Sequence, residues 1–124
     1  SRGGGMSQAG GSCHCGAVRF SVPVPETATE CNCSICRRYG ALWAYYPVGE
    51  VVFEPPAPAT GTYMWDDRSL AFHRCRACGC VTHWSPVNRT EDRMGVNARL
   101  LDPAVLAGVR IRHLDGAVTE RYLD

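Results

Sequence analysis

All eight cysteines of this 124-residue chain fall into three short clusters. The densest is Cys31-Asn32-Cys33-Ser34-Ile35-Cys36, followed at once by Arg37-Arg38-Tyr39-Gly40. Cys13-His14-Cys15-Gly16 lies upstream and Cys75-Arg76-Ala77-Cys78-Gly79-Cys80 downstream. A disulfide within Cys13-X-Cys15 would be strained, because residues two apart on a straight strand are separated by about 6.6 Å, near the upper limit that a disulfide accepts. Tetrahedral zinc instead holds sulfurs about 2.3 Å from the metal and so roughly 3.8 Å from one another, a spacing that a bent Cys-X-Cys or Cys-X-X-Cys knuckle delivers. Glycine directly after Cys15 and Cys78 supports the knuckle, since it adopts the positive φ that turns backbone N–H groups toward the sulfurs. Seven cysteines in the knuckles suggest one four-thiolate and one three-thiolate site. The first would be closed and structural; the second would leave a position open to water or substrate, as catalytic zinc sites do. Spacing alone does not pair the knuckles. The triple cluster can supply three ligands locally, which leaves the two pairs for each other.

The composition agrees with a metal-stabilised domain. At 124 residues the chain is one domain's length, and its 45% hydrophobic content is ordinary for a globular protein. A net charge of +1 implies no general attraction to nucleic acid or anionic membranes. All thirteen basic residues are arginine, a composition bias that also offers planar forks for carboxylates. No apolar run approaches the ~20 residues that span a bilayer. Ser1-Arg2-Gly3-Gly4-Gly5 reads as an expression scar ahead of a native Met6, and the residues after Met6 lack the apolar core of a secretory signal. A cytoplasmic, reducing compartment is therefore the expectation, and there clustered cysteines are better explained as metal ligands than as disulfides.

The elements that must position these thiols are short. Residues 1–10 read as disordered, and 11–124 as a single zinc domain. Val18, Phe20 and Val22 alternate with Arg19 and Ser21 as a half-buried strand that Pro23 and Pro25 stop. The central cluster cannot be a straight strand if its thiols converge, so 34–39 is expected as one helical turn or a tight loop. Strands are expected at 42–46 and 51–53 around the turn signal Pro47-Val48-Gly49, and a hairpin at 60–65 and 70–74 around Asp66-Asp67-Arg68-Ser69. Further strands are expected at 81–84, at 94–100 with Met94, Val96, Ala98 and Leu100 on one face, and from Val109 to an end at Asp115-Gly116. The segment 117–124 reads as an edge strand, and Asp102-Pro103 as the start of a short helix over 104–107. The fold class is mainly β: a small zinc-stabilised antiparallel domain with one or two short helical turns.

Gly11-Ser12-Cys13-His14-Cys15-Gly16-Ala17-Val18-Arg19-Phe20, the Cys31 to Arg38 cluster and Cys75-Arg76-Ala77-Cys78-Gly79 resemble the glutathione-dependent formaldehyde-activating enzyme family, also called CENP-V/GFA. Val96-Asn97-Ala98-Arg99-Leu100-Leu101-Asp102 resembles that family's C-terminal strand. The resemblance implies that Cys13, Cys15, Cys75 and Cys78 hold a structural zinc, and that Cys31, Cys33 and Cys36 hold a second, catalytic one. It also implies a zinc-stabilised, β-sandwich-like fold. Cys80 departs from the pattern: relatives usually place a small hydroxyl or apolar residue there. It is either a buried free thiol or a competing ligand that would close the second site.

Three thiolates make zinc a comparatively weak Lewis acid, well matched to a soft fourth ligand such as a substrate thiol. Glutathione fits, with Arg37 or Arg38 gripping a carboxylate. The activity implied by the resemblance is reversible addition of glutathione to formaldehyde or a related small aldehyde, a carbon–sulfur lyase reaction using two zinc ions per chain. The alternative is a non-catalytic, zinc-stabilised binding module. The expected partners are a small thiol and an aldehyde, with neither nucleic acid nor membrane. His14, between two ligands, should point away from the metal. His73 and His83 read as core or surface histidines before second-layer donors to sulfur. Trp43 and Tyr45 share a face as core, while Asp66 and Asp67 read as turn residues.

Overall fold

The computed structural model of the chain describes residues 7–65, 68–88 and 90–124. Its elements run β1 (Gln8–Ser12), β2 (Arg19–Pro23), β3 (Thr27–Cys31), α1 (Ser34–Tyr39), β4 (Trp43–Tyr46), β5 (Val52–Glu54), β6 (Thr60–Tyr63), β7 (Leu70–Cys75), β8 (Val81–Pro86), β9 (Met94–Asn97), α2 (Pro103–Leu106), β10 (Arg110–Asp115) and β11 (Arg121–Tyr122). The protein is mainly β with two short helices, as its sequence predicts. A three-stranded sheet has the order β1-β2-β5, and an eight-stranded sheet the order β11-β10-β3-β4-β9-β8-β7-β6. Every pairing is antiparallel except β3 with β10, which run parallel from Thr27 beside Arg110 to Cys31 beside Leu114.

Of the leader expected to be disordered over 1–10, Gln8, Ala9 and Gly10 are instead part of a strand. Gln8–Ser12 form β1, with Ala9 opposite Val22 and Gly11 opposite Phe20. Glycine and alanine bury little of their own, so β1 has no apolar signature. Its burial is borrowed: the Phe20 ring lies over Gly11, where any Cβ would collide with it. Residues 1–6, including the Gly-rich start and Met6, lie outside the described residues. So do Asp66 and Asp67 of the expected hairpin turn, although the β6–β7 hairpin itself is present.

Period-two alternation explains how the large sheet is buried on both faces. Ala44 and Tyr46 of β4 and Met94 and Val96 of β9 point into a core shared with Phe20 and Val22 of the small sheet. Trp43, from the other face of β4, joins Phe72, Trp84, Cys31 and Cys36 in a second cluster. The alternation expected through Leu100 stops earlier. Asn97 accepts the Arg99 amide and caps a single 3-10 turn, Ala98–Leu100. Asp102 caps α2 through the Ala104 amide, with Pro103 in the first turn as expected.

Candidate metal centres

The four-thiol group joins the two sheets. Cys13 and Cys15 occupy the β1–β2 connection, Cys75 ends β7 and Cys78 lies in the β7–β8 connection, so they reach one point from opposite sheets. Their four sulfurs all lie within 4.8 Å of one another. Cys13 and Cys15 Sγ are 3.7 Å apart, and Cys15 and Cys75 Sγ 3.6 Å apart, close to the spacing of about 3.8 Å that tetrahedral zinc requires. Gly16 and Gly79 have φ of 86° and 83°, which closes both turns. The Gly79 amide donates to Cys75 O at 2.9 Å and the Val18 amide to Cys13 Sγ at 3.3 Å. Amides of Cys80 and Cys15 bring the Cys78 thiol down to about 5, which favours its thiolate form. All eight cysteines are free, with no disulfide competing for them.

Cys80 packs with Cys13, Val18, Cys75 and Cys78. It stands beside the four-thiol group without joining it, and it belongs to a different cluster from Cys31 and Cys36.

The second group is built by a strand end and a helix start. Cys31 ends β3, and Cys33 is the N-cap of α1, its sulfur accepting the Cys36 amide at 3.4 Å. One turn of helix then brings Cys36 back beside them, and Gly40, at φ 67°, ends the helix. The sulfurs of Cys31, Cys33 and Cys36 lie within 4.8 Å of one another, and among the described residues no fourth His, Cys, Asp or Glu joins them. The Trp43 indole N–H donates to Cys36 Sγ at 3.4 Å. Burial alone would push the Cys33 thiol up; the Cys36 amide and the neighbouring thiols outweigh it, and Cys33 lies below its ordinary value. Burial pushes Cys31 and Cys36 up. N–H donors aimed at clustered sulfurs favour thiolates, and converging thiolates need a cation. Both groups therefore fit a zinc ion.

Three residues that the sequence reading passes over complete this site. Asn32 donates to Asp115 Oδ1 at 2.9 Å and accepts the Ala117 amide at 2.9 Å. This fastens the β10–β11 turn against the triad and holds the Asp115 carboxyl below the usual range. The same turn lays Gly116 on Cys31, where a Cβ would be 2.5 Å from the sulfur.

Among the described residues, cavities reach the triad from several sides. One of 330 Å³ has Cys31 and Cys36 beside Arg37, Glu30, Asn32 and His113. A second, of 470 Å³, has the same two cysteines beside Trp43, Phe72, Trp84 and Leu70. A third, of 230 Å³, reaches Cys33 and Cys36 past Ile35 and Trp65. Arg37 is thus beside the triad. Arg38 is not: its Nη1 donates to Ser34 O at 2.8 Å, and it lines a separate groove with Arg74 and Tyr63. His14 is exposed and outside both sulfur groups, as expected. His73 and His83 stack on each other at 4.1 Å, bonded to Thr60, Ser85 and Thr82 rather than to sulfur.

Residues 8–112 match the family described as glutathione-dependent formaldehyde-activating enzyme. A Halomonas elongata protein provisionally described as a glutathione-dependent formaldehyde-activating enzyme is 63% identical over 30 residues, 23% of this chain and 19% of that protein. A crystal structure of a Rhodobacter sphaeroides protein superposes with a TM-score of 0.66 at 32% identity, covering 82% of this chain and 98% of the other.

Proposed function

The chain belongs to the glutathione-dependent formaldehyde-activating enzyme family, and from that premise we propose that it is a zinc-dependent enzyme of the carbon–sulfur lyase type. It binds a thiol such as glutathione at Cys31, Cys33 and Cys36 and adds it reversibly to an aldehyde. The observation that carries this reading is the three-sulfur group with no fourth protein ligand among the described residues, opening on cavities. Cys13, Cys15, Cys75 and Cys78, closed and shared between sheets, hold the structural zinc on this reading.

A zinc ion at the triad would supply Lewis acidity that favours the thiolate form of a thiol bound there. The chain supplies the rest. The Trp43 indole and the Cys36 amide give the sulfurs fixed N–H donors, and Arg37 stands beside the triad to hold a carboxylate of the thiol substrate. The new C–S bond takes its electron pair from sulfur. The carbonyl π pair passes to oxygen, which gains the proton that the thiol lost, so no further co-reactant is needed.

The test is exchange NMR of glutathione and formaldehyde with zinc-loaded protein. The proposed enzyme accelerates exchange between free glutathione and S-hydroxymethylglutathione, and Cys36→Ser abolishes the acceleration without unfolding the chain. Equal exchange with and without wild-type protein would refute the activity.

A further inference from the structure

Formaldehyde has two heavy atoms and needs little more room than a water molecule, whose share of the liquid is about 30 Å³. The cavity that reaches Cys31 and Cys36 past Trp43, Phe72 and Trp84 has 470 Å³, within the ~300–1,000 Å³ typical of sites for much larger molecules. We propose that this cavity binds the aryl group of an aromatic aldehyde, so that the chain's preferred carbonyl substrate is an aryl aldehyde and not formaldehyde. The proposal rests on the thiol-addition reading above and names the carbonyl partner of that same site.

The walls carry the argument. Trp43 and Phe72 meet with ring centroids 6.1 Å apart at 47°, and Tyr45 and Trp84 with centroids 6.1 Å apart at 57°. Trp43, Phe72 and Trp84 are packed on one another at 2%, 5% and 7% exposure, so they form a fixed apolar floor that meets an entering ring by offset or edge-to-face contact. Leu70 and Leu114 complete the apolar lining, and the charged residues of this cavity are Glu91 and Arg93, both exposed. The Arg93 guanidinium is already stacked 4.1 Å over Tyr45. Trp84 can occupy its place because Gly95 has no side chain: a Cβ there would collide with the indole.

The neighbouring 330 Å³ cavity differs in the charged and polar groups it carries, although Leu114 and Leu123 line it too. Arg37, Glu30, Asn32 and His113 stand beside the same two cysteines. Glutathione carries an ammonium and two carboxylates, so groups of both signs suit it, and an apolar ring does not. With the thiol substrate on that side, a carbonyl carbon at the sulfur cluster directs its substituent into the aromatic cavity. Addition balances as before: the C–S bond forms, the C=O π bond breaks, and the oxygen gains the proton from the thiol.

The experiment compares benzaldehyde with formaldehyde as partners of glutathione on zinc-loaded protein. One readout is kcat/KM from exchange NMR. The other is saturation transfer from protein to the benzaldehyde ring protons without glutathione, which does not depend on turnover. The expected result is a kcat/KM for benzaldehyde at least tenfold above that for formaldehyde, with ring contact present. Leu70→Trp, which fills the cavity from β7, should remove the contact and lower the benzaldehyde-to-formaldehyde ratio at least tenfold. Leu70→Phe serves if the larger residue prevents folding. Turnover of formaldehyde with no benzaldehyde contact or turnover overturns the aryl proposal and leaves the thiol-addition reading intact. Failure of both aldehydes to react overturns that reading and, with it, the aryl aldehyde as substrate, while ring contact that Leu70→Trp removes would separate this from a failure of the cavity itself.

Discussion

Cys36 is fixed at both ends: its amide donates to Cys33 Sγ at 3.4 Å, and its sulfur accepts the Trp43 indole N–H at 3.4 Å. Trp43→Phe keeps a large ring in the cluster and removes the N–H from the sulfur. Loss of a second-layer donor typically lowers metal affinity about 10–100-fold, so competition with a chelator should show that loss at the triad and not at the four-thiol group. Gly116→Ala places a methyl group where Cys31 Sγ stands, 2.5 Å away. Overpacking of this kind costs about 1–3 kcal/mol, and metal analysis of the purified variant should find the triad depleted while the four-thiol group stays loaded. Unchanged zinc content would separate Gly116 from the site. The cysteines were legible in sequence because each knuckle is local. Asn32 and Gly116 were not, because Asn32 meets Asp115 across 83 positions and no local pattern announces that contact.

At the level of elements, the triad depends on where β3 ends. Parallel pairing with β10 sets Cys31 beside Leu114, which delivers the Asp115–Gly116 turn to the thiols. β3 was not expected as a strand, whereas β10 was legible from the alternation of Val109 and Ile111, and Ser34–Tyr39 from the need for three thiols to converge. The parallel register was not, since it joins segments more than eighty residues apart, and neither was β1, whose small side chains carry no pattern. The face of β9 opposite Met94 and Val96 can be tested directly. Gly95→Ala drives a Cβ into the Trp84 indole, and should lower stability by about 1–3 kcal/mol in urea unfolding. A neutral effect would mean that Trp84 is not seated against β9.

Across the whole molecule, the four-thiol group clamps the small sheet to the large one, so its zinc should govern folding and the triad should govern chemistry. Structural zinc contributes about 10–16 kcal/mol in small zinc domains. Cys78→Ser should therefore abolish cooperative unfolding, whereas Cys36→Ser should retain it; the reverse pattern would exchange the two roles. The knuckles suggested this division of labour in sequence, but not that the four-thiol group draws its two pairs from separate sheets. Acid acts on the fold through a second buried feature. Burial, with His73 stacked against it, holds the His83 imidazole down at about 3, against 6.5 when unfolded. Above pH 6.5 both states are neutral and the histidine adds no pH dependence. As pH falls from 6.5 toward 3, the unfolded chain binds a proton that the folded one refuses, and stability is lost. His83→Gln should be less stable at neutral pH but flatter over that window, measured by urea midpoints; an equal slope would assign the acid lability to groups other than His83, such as His73, whose imidazole burial also holds down.

The most direct test of the central claim is calorimetric titration of glutathione into zinc-loaded protein, with S-methylglutathione as the control. The account predicts saturable binding that requires the free thiol and disappears in Cys36→Ser while the fold persists. Equal binding of the two ligands, or binding of neither, would contradict an open thiol site at Cys31, Cys33 and Cys36.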